Sequence, residues 1–249
     1  MHFRSRKASL VALLALGSLL LTGCKNGSVY GYESDLSSVN EVSWHLWRGA
    51  WLAAAVVGIF TAALILWPVL RHRRKEGDPQ YPKQTQYNIP VEVAYTIIPF
   101  IIVAVLFYFT ARDEAKIIAK EPSKVMHTID VTGIQWSWQF GYQDGGPNAV
   151  VTGTPAQPPT LVLPQGERVA FKIHSNDVVH GFWIPAFMIQ IQNLPGVTNH
   201  IEFTANKIGE YPGRCNILCG RNHSQMVFKV KVVTPEEYKT YVETLKAGA

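Results

Sequence analysis

The chain has 249 residues, a hydrophobic fraction of 47% and a formal net charge of +5. That length allows one globular domain plus further segments. The basic balance invites a nucleic-acid partner, but its placement excludes one: residues 111–249 hold 13 Lys+Arg against 12 Asp+Glu. The excess flanks apolar runs and forms no basic patch with interleaved aromatics.

Arg4, Arg6 and Lys7 precede an apolar stretch over residues 8–21. It is too short to cross a bilayer and has the shape of a signal-peptide core. It ends in Leu21-Thr22-Gly23-Cys24, which resembles a lipobox. A signal peptide over residues 1–23 is therefore expected, with Cys24 lipidated as the mature N-terminus. The alternative is ordinary cleavage nearby with Cys24 incidental, and an unpaired exported thiol weighs against it. Residues 25–43 are polar and rich in Gly and Ser. They are expected to be a loosely ordered part of a lipidated segment, 24–43.

Residues 44–110 read as a two-helix transmembrane hairpin, with spans over about 44–70 and 89–109. Trp44, Trp47, Trp51 and Trp67 mark the ends of the first span, as interfacial rings do. The connecting loop carries Arg71, Arg73, Arg74, Lys75 and Lys83, which places it in the cytoplasm. Everything after Arg112 is then extracytoplasmic. A buried hairpin in a soluble protein would need neither the length nor the basic loop. Glu92 begins the second span, where a carboxylate either snorkels to the interface or lines a polar path.

Residues 111–249 read as all-β. Residues 125–131, 134–142, 160–163, 168–174, 200–204 and 226–233 are rich in β-branched and aromatic residues, with turn residues between them. Such spacing suggests a sandwich or Greek-key barrel. Thr234-Pro235-Glu236-Glu237 forms a capping box and starts a short amphipathic helix to about Leu245.

The chemistry concentrates in one stretch, Cys215-Asn-Ile-Leu-Cys219-Gly-Arg-Asn-His223-Ser-Gln-Met226, with His180 upstream in Asp177-Val-Val-His180. Thiolate, imidazole and thioether together select copper, zinc or iron–sulfur. One Cys, two His and a weak Met describe a mononuclear copper site. A second thiolate allows two coppers to be bridged, which spreads the charge change of electron transfer over two metals. A Cys215–Cys219 disulfide leaves His223 and Met226 unexplained. Structural zinc leaves Met226 idle. Met226 taken by itself reads as core. His2, His45, His72, His127, His174 and His200 have no ligand pattern and read as structural or solvated.

These residues resemble the cytochrome c oxidase subunit II family across nearly the whole mature chain. The matching features are the hairpin, Cys-x₃-Cys-x₃-His-x₂-Met with its upstream His, Gln135-Trp136-Ser137-Trp138, and Glu92-Val-Ala-Tyr-Thr-Ile-Ile-Pro99. The resemblance implies a bacterial lipoprotein form with a transmembrane helical hairpin. An all-β, cupredoxin-like Greek-key barrel and a short C-terminal helix follow, the barrel forming an extracytoplasmic domain over 111–249. It implies a dinuclear copper centre held by His180, Cys215, Cys219, His223, Met226 and the backbone carbonyl of Ile217. Trp136 is implied as the electron-entry residue, and Glu92 as the entrance of a proton path. The implied partners are cytochrome c or a tethered cytochrome, the haem-bearing subunit I and subunit III, in the bacterial cell membrane. A related copper-containing nitric oxide or nitrous oxide reductase is the alternative. The family usually has Glu where Ile217 stands, and that carboxylate also reaches a magnesium ion at the subunit I interface. Gln190, Gln192 and Val197 also depart from the family pattern nearby.

Overall fold

The computed structural model describes residues 31–82 and 84–248, so Cys24 and the expected signal peptide lie outside the described residues. One compact unit runs over Ser34–Ala249. The other is Met1–Glu33, of which residues 31–33 are described and have no regular structure.

Two long helices open the larger unit. Helix α1 (Ser38–Arg71) starts where the Ser37 hydroxyl accepts from the Asn40 amide at 3.0 Å, satisfying one of the orphan donors of a first turn. Helix α2 (Ile89–Ile117) starts at Asn88, whose side chain caps Val91, with Pro90 in the first turn. Both helices are long and apolar enough to cross a membrane, and their apolar side chains are exposed. Each outruns the expected span at one end. Apolar character marks the stretch that faces lipid, whereas the helical hydrogen bonds continue into polar sequence. In the added turns of α2, Asp113 is buried between Arg112 at 2.8 Å and Lys116 at 3.2 Å.

The expectation of a loosely ordered 25–43 fails from Ser34 onward. Leu36 and Val39 are each 4% exposed and belong to the domain core. The Asn206 amide donates to the Leu36 carbonyl at 2.9 Å. The Thr204 amide donates to the Ser38 hydroxyl at 3.1 Å, and Asn40 Nδ2 donates to the Ala186 carbonyl at 3.2 Å. The polar residues that suggested a loose lead instead satisfy backbone groups at the edge of a sheet.

Ten strands follow among the described residues. They are β1 (His127–Ile134), β2 (Ser137–Tyr142), β3 (Val150–Thr152), β4 (Thr160–Pro164), β5 (Arg168–Ser175), β6 (His180–Ile184), β7 (Ile189–Asn193), β8 (Asn199–Thr204), β9 (Gly209–Cys215) and β10 (Val227–Val233). They form two five-stranded sheets, ordered β3-β2-β1-β5-β8 and β4-β10-β9-β6-β7. The pairs β1–β5 and β4–β10 are parallel, the other ladders antiparallel. This is the cupredoxin-like architecture expected, closed by helix α3 (Pro235–Ala247) with its Thr234–Glu237 capping box.

Alternation along the strands builds the core between the sheets. On β5, Val169, Phe171, Ile173 and Ser175 point inward and their neighbours outward. Phe171 stacks on Phe203 at 4.7 Å and Phe182 on Phe228 at 5.1 Å. Trp138 meets Phe182 and Phe228 edge-on. Away from this core, His127 bonds Asp144 and Glu167, His174 bonds Thr132, and His45 bonds Glu41.

Candidate metal centre

Strands β6 and β9 are neighbours, with Phe182 opposite Cys215. His180 therefore opens one strand beside the place where Cys215 closes the other. From Cys215 the chain loops out and returns, and the loop is closed by the Cys215 amide donating to the Met226 carbonyl at 2.9 Å. That closure carries Cys219, His223 and Met226 back over Cys215.

The distances follow from it. The Sγ atoms of Cys215 and Cys219 are 3.8 Å apart, and both cysteines are free. Cys219 Sγ lies 3.6 Å from His223 Nδ1 and 3.8 Å from Met226 Sδ. Cys215 Sγ lies 3.2 Å from the Ile217 carbonyl oxygen. The ligating atoms of His180, Cys215 and Cys219 all fall within 4.8 Å of one another. His180 and Met226 are fully buried, and Cys215 and Cys219 nearly so. The disulfide alternative thus fails on distance, since a bonded pair needs about 2.05 Å.

The imidazole of His180 is aimed by its surroundings. Its Nε2 bonds Asp177 Oδ1 at 2.8 Å, while its Nδ1 is buried and unpartnered. A buried ring nitrogen without a partner is costly, and a metal ion is a natural claimant for it. Gly133 on β1 makes room for this ring, because a Cβ there would come within 2.7 Å of His180 Cδ2. The donor set therefore fits copper: soft sulfur and imidazole, desolvated, with a carboxylate oriented behind the histidine.

Charge is balanced unevenly between the thiols. Burial disfavours ionisation of both. The neighbouring imidazole of His180 and the Gly181 amide, which donates to Cys215 Sγ at 3.5 Å, nevertheless hold the Cys215 thiol down to about 6. Burial, and then the neighbouring charge of Cys215, push the Cys219 thiol up to about 12. Burial and mutual repulsion thus disfavour two thiolates in the absence of a cation. For Asp177, burial raises the carboxyl, yet the Gln135 amide, His180 and the Val178 amide hold it below its ordinary value.

Trp136 is half-buried in the turn between β1 and β2, and its indole Nε1 donates to the Cys219 carbonyl at 3.1 Å. The candidate residues of the β domain thus converge. Glu92 stands apart in the first turn of α2, where its carboxylate accepts from the Asn88 amide at 2.9 Å. Two residues of the site were not assigned roles from sequence. Asp177 could have been read from its place three residues before His180, as the partner a ligating histidine needs. Gln135, beside Trp136, carried no such signal.

A family model described as cytochrome C oxidase subunit II, periplasmic domain, matches residues 156–233. The chain is 37% identical to a probable cytochrome c oxidase subunit 2 of Streptomyces avermitilis, over 97% of this chain and 88% of that protein. It is 39% identical to the corresponding protein of Streptomyces coelicolor, over 80% of this chain and 74% of that one. A crystal structure of the periplasmic domain of subunit II of cytochrome oxidase from Bradyrhizobium japonicum is similar at 31% identity and a TM-score of 0.44. That similarity covers 50% of this chain and 96% of the other. Relatives at this identity, matched over most of both lengths, establish that the chain belongs to the cytochrome c oxidase subunit II family.

Proposed function

We propose that this chain is the electron-entry subunit of a proton-translocating cytochrome c oxidase. One observation carries the reading: two buried, unbonded thiols 3.8 Å apart share a pocket with a buried imidazole nitrogen that has no partner. His180, Cys215, Cys219, His223, Met226 and the Ile217 carbonyl are its copper ligands. Two copper ions held there supply one-electron chemistry, with the charge change shared over both metals and both sulfurs.

The chain's own residues supply the rest. Strands β6 and β9 fix His180 and Cys215 on a rigid sheet, so their positions need not change when an electron passes. Burial keeps water from the thiolates. Trp136 is part exposed, and one hydrogen bond joins its indole to the ligand loop. It is the point at which a reduced cytochrome c, soluble or tethered, makes contact. From this site electrons go to the haem of subunit I, where oxygen is reduced and protons are pumped. Subunit III completes the proposed assembly.

In this reading α1 and α2 span the bacterial cell membrane with the basic loop inside and the β domain outside, anchored further by a lipid on Cys24. Glu92 then lies at the cytoplasmic end of α2, at the entrance of a proton path. That role rests on the resemblance of residues 92–99. Ile217 offers no carboxylate, so a magnesium ion at the subunit I interface would have to be held without one from this position.

The test is the order of reduction in the intact complex. Reduced cytochrome c is mixed rapidly with the oxidised oxidase. The copper absorption of this subunit should change before the haem of subunit I is reduced. Haem reduction that precedes the copper change would contradict the proposal.

A further inference from the structure

Gln135 is exposed in the turn between β1 and β2, yet three hydrogen bonds of the Gln135-Trp136 pair hold the site together. The Gln135 backbone amide donates to Asp177 Oδ2 at 2.7 Å, and the other oxygen of that carboxylate holds His180. Its side-chain Nε2 donates to the Cys219 carbonyl at 2.8 Å. Trp136 Nε1 donates to the same carbonyl at 3.1 Å. A carbonyl oxygen has two lone pairs, so this one can accept from both adjacent residues at once. Gly220, which follows the carbonyl, has φ +119, and a Cβ there would meet Trp136 Nε1 at 3.1 Å and Gln135 Nε2 at 3.3 Å. Glycine lets the ligand loop press against both donors.

We propose that Gln135 is a positioning residue for electron entry: its amide fills one lone pair of the Cys219 carbonyl and so confines the Trp136 indole to the other. The inference rests on the copper-site reading above. With Gln135 in place the indole has one seat on the loop. Without it, water or the indole itself can take either lone pair, and the ring is no longer held at one distance from Cys219. The amide also acts electrostatically. Its positive N–H end points at the peptide of a thiolate ligand, where it offsets negative charge gained on reduction. Removing it should therefore lower the reduction potential of the copper site. A residue that served only as a docking contact would do neither.

The experiment uses the intact oxidase carrying Gln135→Leu or Gln135→Glu. Leucine keeps the bulk and the backbone bond to Asp177 but removes the donor. Glutamate keeps a polar surface but turns an acceptor toward an acceptor. Copper content should match the wild type in both. The copper potential should fall. The kcat for cytochrome c oxidation should drop about three- to tenfold, the scale of one lost hydrogen bond, with KM little changed. Glutamate should have the larger effect. An unchanged potential and kcat in both variants would overturn the inference. So would a rise in KM alone, which marks a docking contact, or loss of copper from both variants, which marks a folding role. A wild-type complex without copper would instead overturn the underlying site assignment, and this inference with it.

Discussion

Asp177 Oδ1 sits 2.8 Å from His180 Nε2, and the nitrogen left over, Nδ1, is buried with no partner. The carboxylate thereby selects which nitrogen faces the metal pocket. It is itself held by the Gln135 amide at 2.7 Å and the Val178 amide at 2.6 Å. Partners behind a metal-bound histidine fix both tautomer and ring orientation. Asp177→Ala should thus weaken copper binding by about 10–100-fold, measured by competition with a chelator of known affinity. Wild-type affinity in this variant would show that His180 is oriented by packing alone.

Copper uptake should release protons. With the Cys219 thiol pushed up to about 12, it keeps its proton at neutral pH in the metal-free site. Copper must displace that proton, because the thiolate is the ligand. The sign follows: affinity rises with pH until the thiol would ionise unaided. The rise is about tenfold per pH unit for each proton released. Titration of the metal-free full chain in weak buffer at pH 7 should show acidification. An affinity that does not vary between about pH 6 and pH 8 would contradict this.

The segment ahead of the first helix should stabilise the β domain. Leu36 is 4% exposed within the core, so Leu36→Ala removes buried methyl groups and leaves a void. A loss of about 2–5 kcal/mol is expected, read from the denaturant midpoint of the full chain in detergent. Leu52→Ala, on the exposed part of α1 at 67% exposure, serves as the control. Equal midpoints for the two variants would place Leu36 outside the domain's cooperative unit.

The proposed ligand set is legible because its chemistry is local. Four of the side chains lie within twelve residues, and few other roles suit two thiols, an imidazole and a thioether so spaced. The strands that position them were less legible. β6 and β9, which carry His180 and Cys215, were missed. β9 reads Gly-Glu-Tyr-Pro-Gly-Arg-Cys, whose glycines and proline suggest a turn. In the structure Pro212 is accommodated opposite Lys229 on β10. The role of residues 34–40 was hidden for a different reason. Their polar side chains bond backbone 146 or more residues away in sequence, and no local pattern records such a partner. The bond from Gln135 to Cys219, separated by 84 residues, was invisible in the same way.

Donor docking should depend more on Trp136 than on charge. The β region, residues 111–249, is close to neutral, with 13 Lys+Arg against 12 Asp+Glu. Long-range steering of a strongly basic cytochrome is then weak, and a tethered donor gains local concentration without it. Turnover should fall only modestly as salt is raised. Trp136→Ala should slow electron entry while leaving the copper spectrum intact. A steep salt dependence together with normal turnover in Trp136→Ala would refute this picture of the docking face.

The dinuclear copper assignment itself is tested most directly by metal content. The full chain, purified within its complex, should carry two copper ions bound by this subunit, seen as a purple chromophore with an EPR signal of an electron shared between two coppers. Cys219→Ser should leave at most one copper, with altered spectra. One zinc ion and no copper in the native protein would contradict the assignment.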